Sequence, residues 1–394
     1  MKILFVAMSD SIHTARWINQ IADMGWDIRL FPSIDYGATH PDLKNITIYH
    51  SIYGVKKNQN PNVTYSGHPV FSNIIAWGTR FIKNLISPNN RAKQLKQIIS
   101  EFNPDIIHSM EFQGAGYLTV QLKKMDPDQF PPWIATNWGS DIYYFSRFSA
   151  HKEKIKEILE LCDYYSCECE RDILLARELG LKGKTLPVLP AAGGFDLEAI
   201  KKFRQPGLTS ERRTILLKGY QGWAGRALVG LRAIELCASE LREYQVVIFA
   251  CNSRAVIKYA ASITKKTGLS IQILPHLAYN DILRSFGKSR IYIGLSISDA
   301  ISTSLLESIT MGAFPIQSNT SCADEWIIDG KSGFIVPPED PEIIAAALRK
   351  AIINNDLVDN AAVINEETAK KHLEYGVIKE KVIKFYTKVG ANNP

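Results

Sequence analysis

Short runs of consecutive apolar residues, each followed by a segment with apolar residues at helical spacing, constrain this chain more than any other feature. "KILFVAMS" opens the sequence, polar "DSIHT" follows, and then comes "ARWINQIADMG", which ends on a glycine. That order reads as a strand buried on both faces, a loop, and a helix with a stop signal. The unit recurs. "DIIHSM" precedes "GAGYLTVQLKKM", "WIATNW" follows, and "KIKEILELC" leads to "YYSCEC" and "ERDILLARELG". Strands that alternate with helices form βαβ units around a parallel sheet covered on both faces, so the fold class is α/β, doubly wound.

The periodicity lapses around "TLPVLPAAGGFDLEAIKKFRQPGLTSERR", where prolines, glycines and charges mark a connection. It restarts with "TILLKGY", "QVVIFAC", "SIQILP", "IYIGLSI" and "FPIQS", five further strands. A chain of 394 residues also exceeds what one core usually supports. The expected division is 1–205, 206–374, and a C-terminal helix over 375–394 that packs back on the first domain. Open sheets bind ligands beyond the carboxyl ends of their strands, at a topological switch point, so the cleft between two such domains is the expected site.

Charge is uneven along the chain. Between Asp42 and Glu101 there is no acid, while Lys44, Lys56, Lys57, Arg80, Lys83, Arg91, Lys93 and Lys96 carry the whole net charge of +6 and more. Within this basic segment 44–96, "FSNIIAWGTRFIKNLI" mixes apolar positions with Arg80 and Lys83. It suits peripheral contact with an anionic membrane surface, or a core helix with a solvated basic face. The segment has no motif that reads nucleic acid, so no nucleic-acid partner is expected. No apolar run approaches the roughly 20 residues of a membrane span, and "MKILFVAMSD" meets an acid too early for a signal peptide. A cytoplasmic location is expected, peripheral at the inner face of the membrane if the basic segment touches it. Six cysteines without zinc spacing read as reduced thiols in cores, with Cys167 and Cys169 alternating on a strand.

Several motifs fail on inspection. "GAGYLT" has two of the three glycines of a dinucleotide fingerprint, "GKS" occurs twice without the Walker glycine, and Asp126-Pro127-Asp128 is explained by turn chemistry. "SISDAISTSLLESITMGAFPIQSNT" is more informative, because Asp299 and Glu307 bracket an expected helix start. Ser304 and Glu307 have the spacing of a capping box, which would be a purely structural role. Asp299 falls at the carboxyl edge of a strand, where capping does not require it. Between them, the amides around Ser302, Thr303 and Ser304 form an anion-favouring helix start. Acids that bind hydroxyls, beside amides that bind phosphate, suit a nucleotide sugar.

The stretch from "DAISTSLLESITMGAFPIQSNT" through "DGKSGFIVPPEDP" resembles the donor-binding block of retaining glycosyltransferases of the GT-B fold, family 4 (group 1), with their E-x7-E motif. "PDIIHSME", "NWGSDI" and "LPVLPAAGGFDLE" follow the family's order. The resemblance implies a GT-B fold of two Rossmann-like domains facing each other across a cleft. It implies transfer of a sugar, with retention and without a metal ion, from a UDP- or GDP-sugar to a hydroxyl acceptor. That acceptor would be a glycan or lipid-linked glycan in cell-surface polysaccharide assembly, and no cofactor is expected beyond the donor substrate. Carried over, Asp299, Ser302, Thr303, Ser304 and Glu307 hold the donor, and Lys218 with Arg226 neutralises the diphosphate. His108, Glu111 and Asp299 stand at catalytic positions, and His13 and Asp141 on the acceptor side. Asp299 replaces the family's first Glu, shortening its reach by about 1.5 Å. A catalytically silent member that binds a nucleotide sugar, or serves as a partner subunit, is the alternative.

Overall fold

The computed structural model describes residues 1–391 except Tyr36, 55–59, 71, 73, 77, 80, 81 and 83–89. It divides into two compact units, Met1–Gly193 with Ile378–Pro394, and Gly194–Val377. The connection expected after residue 205 therefore lies earlier. Residues 194–205 belong with the second unit because Gln205 N donates to Gly287 O at 3.1 Å and Arg204 pairs with Glu366 at 2.8 Å.

The first unit is built on β1 (Lys2–Ala7), β2 (Asp27–Pro32), β3 (Ile46–Gly54), β4 (Val63–Val70), β5 (Ile106–Met110), β6 (Trp133–Thr136), β7 (Tyr164–Ser166) and β8 (Lys184–Thr185). They form one parallel sheet in the order β4-β3-β2-β1-β5-β6-β7-β8. Helices α1 (Ile12–Asn19), α2 (Asn90–Phe102), α3 (Tyr117–Met125), α4 (Ser149–Leu161) and α5 (Glu170–Glu178) cross over between strands. The unbroken apolar run of β1 follows from this burial. Ile3, Phe5 and Ala7 enter one core, and Leu4 and Val6 enter the other, as the two-residue period of a strand demands.

In the second unit, α6 (Leu197–Lys201) precedes β9 (Thr214–Lys218). There follow α7 (Ala227–Leu236), β10 (Gln245–Phe249), α8 (Arg254–Thr267), β11 (Ser270–Ile273), α9 (Tyr279–Lys288), β12 (Ser289–Gly294) and α10 (Thr303–Thr310). Then come β13 (Phe314–Ser318), β14 (Phe334–Val336), α11 (Pro341–Ile353) and α12 (Asn355–His372). The strand order is β11-β10-β9-β12-β13-β14, all parallel. Connections from β9 run toward one edge and those from β12 toward the other, so the switch point lies between β9 and β12.

Within the basic segment, β3 and β4 precede the stretch expected to form a basic helix, and the described residues 74–76, 78, 79 and 82 of that stretch are helical. Lys56, Lys57, Arg80 and Lys83 lie outside the described residues. Lys44, Lys93 and Lys96 are exposed, but Arg91 is not a surface cation. Its guanidinium lies 3.9 Å over the Phe31 ring, donates to Pro32 O, and sits 3.6 Å from Asp35. Against the opposing effect of burial, His50, Ser51 and Arg91 hold the Asp35 carboxyl below the usual range. All six cysteines are free, and Cys167 and Cys169 lie just past β7, not on it. Among the described residues no helix is long and apolar enough to cross a membrane.

The last helix, α13 (Tyr375–Ala391), places Ile378, Val382, Phe385, Tyr386 and Val389 in the core of the first unit. There Trp17 Nε1 donates to the Tyr386 hydroxyl at 2.7 Å, so that hydroxyl's own proton goes to His108 Nδ1 at 2.6 Å. His108 Nε2–H then donates to Thr136 Oγ1 at 2.6 Å, which fixes the neutral tautomer. The catalytic role expected of His108 is thus corrected. It is fully buried, both ring nitrogens are used, and its ring packs on Phe385. Burial pushes its pKa down to about 3.

Because the folded chain refuses a proton that the unfolded chain accepts below about 6.5, His108 costs stability as pH falls. Urea unfolding is expected to lose about 2 kcal/mol between pH 6.5 and pH 5 from this group, at about 1.4 kcal/mol per pH unit. His108→Gln should flatten that slope, and an unchanged slope refutes the assignment. Tyr386→Phe strands Trp17 Nε1 and should cost about 1–3 kcal/mol at neutral pH.

Candidate active site

At the switch point of the second unit, two loops lie together. The loop after β9 runs "GYQGWAG" to Arg226, and the loop after β12 runs from Leu295 to Ser302. Ile297 N donates to Ala224 O at 2.9 Å, and Arg226 N donates to Leu295 O at 3.0 Å. The turn is tight enough that a Cβ on Gly225 would fall 2.1 Å from the Tyr220 carbonyl oxygen, so only glycine fits there. Thr320 Oγ1 donates to Ser296 O, and Asp299 N donates to Thr320 O at 3.4 Å, which ties the Asp299 loop to the end of β13.

Helix α10 begins here with Ser302 as its N-cap in extended conformation, φ −73° and ψ 115°. No side chain caps it, so the capping box expected of Ser304 and Glu307 does not form. The helix starts two residues earlier than that box requires, which puts Ser304 and Glu307 inside it. The backbone amides of Thr303 and Ser304 have no acceptor among the described residues, and they form the positive end of the helix. Lys218, at the end of β9, reaches this point with Nζ 3.5 Å from Ser302 Oγ. Glu307 is 6% exposed on the second turn, and Asp299 is half-buried in the preceding loop.

Tyr292 on β12 completes the cluster, although nothing in its sequence context marks it. Burial pushes its phenol up, and the charges of Glu307 and Asp299 push the same way, while the hydroxyls of Ser302 and Ser304 oppose them. The switch point therefore gathers Lys218, Asp299, Ser302, Thr303, Ser304 and Glu307 around one helix start. Arg226 does not join them. Its Nε pairs with Glu339 at 2.9 Å, and Nη1 donates to the carbonyls of Trp223, Ala224 and Gly225, so it shapes the loop.

In the first unit, the carboxyl ends of β1, β5 and β6 bring together His13, Glu111 and Asp141. His13 is the second residue of α1, and its ring edge meets Trp138 at 5.7 Å between centroids. Asp141 Oδ2 accepts from Trp138 N at 2.7 Å and from Phe112 N at 2.8 Å. Glu111 has φ 76°, a strained value for a residue with a side chain, and accepts from Gly114 N and Ala115 N at 2.6 and 2.5 Å. Burial raises both carboxyls, and for Asp141 the charge of Glu111 adds to it. Both acids spend oxygens on backbone amides, which fixes the turn after β5 and the loop after β6.

Comparison with known proteins accords with this layout. A family profile described as glycosyl transferase 4-like matches residues 2–164, and one described as glycosyl transferases group 1 matches residues 227–371. No curated protein sequence matches. Among solved structures, sucrose-phosphate synthase from Thermosynechococcus elongatus is similar over 99% of this chain and 100% of its own, with a TM-score of 0.69 at 12% identity. The Anabaena protein HepE in complex with UDP-glucose is similar over 98% and 100%, with a TM-score of 0.68 at 14% identity. A UDP-forming α,α-trehalose-phosphate synthase from Burkholderia xenovorans is similar over 100% and 99%, with a TM-score of 0.69 at 14% identity. The fold is GT-B, built from two Rossmann-like doubly wound units, and the two profiles between them span most of the chain, which belongs to the group 1 glycosyltransferases.

Proposed function

We propose that this glycosyltransferase moves a sugar from a nucleotide-sugar donor to a hydroxyl of a glycan or lipid-linked glycan, with retention at the anomeric carbon. The observation that carries the reading is the open start of α10 with Lys218 Nζ 3.5 Å from Ser302 Oγ. A cation beside free helix-start amides at a switch point suits a diphosphate. In the reaction, the bond from the anomeric carbon to the diphosphate oxygen breaks and its electron pair leaves with the diphosphate. The acceptor hydroxyl forms the new bond on the face the diphosphate leaves, and its proton passes to the departing diphosphate oxygen. Lys218 and the amides of Thr303 and Ser304 meet the charge that grows on the leaving group, without need of a metal ion. Glu307 and Asp299 accept hydrogen bonds from donor hydroxyls and so orient the sugar and ribose.

A UDP-sugar is the favoured donor, because HepE is described with UDP-glucose and the Burkholderia enzyme as UDP-forming. Asp141 and His13 are assigned to the acceptor, and Glu111 to holding the turn after β5 beside them. Exposed Ile74 and Ile75, within the basic segment 44–96, support a peripheral membrane contact and hence a lipid-linked acceptor.

A thermal-shift screen of UDP- and GDP-sugars, followed by a transfer and donor-hydrolysis assay, tests the proposal. Glu307→Ala and Lys218→Ala should each lower kcat/KM about 10- to 100-fold, the value of a hydrogen bond to a charged group. Arg226→Lys should reduce stability more than donor affinity. A wild-type protein that neither binds nor turns over any donor in the panel refutes the reading.

A further inference from the structure

The carboxyl end of α10 carries a second concentration of positive charge. Arg204 donates through Nε to Thr310 O at 3.0 Å and through Nη2 to the same oxygen at 2.5 Å, while Nη1 pairs with Glu366. Arg212 donates through Nη1 to Ser289 O at 3.2 Å and Met311 O at 3.1 Å. Both guanidiniums thus sit against the negative ends of α9 and α10, which explains why buried cations are tolerated there. The two differ in one respect. Arg204 has a carboxylate partner, whereas Arg212, only 3% exposed, has none at ion-pair distance among the described residues, where its Nε also has no hydrogen-bond partner.

A cavity of about 380 Å³ opens beside them, lined by Lys201, Arg204, Arg212, Gly312, Asp359 and Glu366 among others. Its acids are already engaged. Asp359 accepts from Ser210 N at 2.9 Å, and Glu366 pairs with Arg204 and Lys370. Burial lowers the Arg212 pKa to about 10, with the charge of Arg204 acting in the same direction and that of Asp359 against it. On Gly312, φ is +75° and an added Cβ would lie 3.5 Å from Arg212 Nη2, so the backbone leaves the guanidinium edge accessible.

We propose that this cavity binds a tetrahedral oxyanion, either inorganic phosphate or the phosphate of a phosphomonoester, held by Arg212 and Arg204 with Lys201 at the rim. Guanidiniums match phosphate oxygens with paired donors, and a phosphate supplies an acceptor for Arg212 Nη2, which bonds none among the described residues. The site is separated from the open start of the same helix by the length of α10, about 12 Å. It does not depend on the donor reading.

The test uses the full chain, with thermal shift and phosphorus NMR titration against inorganic phosphate and, separately, a hexose 6-phosphate, with chloride at equal ionic strength as control. Phosphate should raise the melting temperature of wild type and of Lys218→Ala alike. The double variant Lys201→Ala/Arg204→Gln should bind about tenfold more weakly or worse. If that variant fails to fold, Lys201→Glu at its exposed position reads the same loss. Tighter binding of the hexose phosphate identifies a phosphomonoester ligand, and equal binding identifies free phosphate. Binding of neither probe by wild type overturns the proposal. So does binding that survives the double variant, or that disappears only in Lys218→Ala, which would place the phosphate at the other end of the helix.

Discussion

A helix that starts at a switch point with its first amides unanswered is the constraint around which the second unit is arranged. Ser302 caps α10 in backbone conformation only, and the amides of Thr303 and Ser304 have no acceptor among the described residues. Unsatisfied amides carry a cost wherever water cannot reach them, so such a start persists when something outside the chain completes it. The neighbouring elements conform to it. The glycine turn at 225 lets the β9 loop lie flat against the β12 loop, and Arg226 holds that turn by its carbonyls. Lys218 then arrives at the helix start from the adjacent strand.

The first unit uses the same scheme and resolves it oppositely. After β5 the chain also turns into a helical segment, but Glu111 folds back onto the amides of Gly114 and Ala115, and Asp141 takes the amide of Phe112. The anion that this helix start favours is supplied by the protein itself. The turn after β5 is thus filled by the chain's own carboxylates, whereas the start of α10 has no side-chain cap, and this contrast supports the proposed assignment of the phosphate-bearing substrate to the second unit.

Much of this was legible from the residues. Continuous apolar runs located β1, β5, β6, β9, β10, β12 and β13, because strands buried on both faces leave no polar alternation to obscure them. The edge strand β4 and its neighbour β3 are mixed in polarity and hid within a basic segment. Helix boundaries were less readable. Ser302, Thr303 and Ser304 can each cap a helix, and pattern alone placed the box two residues late. His108 shows a further limit. Ile106 and Met110 share its face of β5, yet the opposite face is equally buried, so parity could not tell a core histidine from one at a ligand. Its partner, Tyr386, is distant in sequence, as is Glu339 for Arg226, and no local pattern announces either contact.

Charge at the two ends of α10 follows one electrostatic rule. Lys218 at the amino end stands against the helix dipole, a placement that is unfavourable unless a bound anion lies between cation and amides. Arg204 and Arg212 at the carboxyl end stand with the dipole and bond its terminal carbonyls, so they hold the helix whether or not an anion is present. An arginine in that position contributes without a ligand, whereas a lysine at the start of a helix contributes only with one. The contrast explains why Arg212 can be almost wholly buried, while Lys218 stays part-exposed at the switch point, in keeping with the proposed diphosphate site.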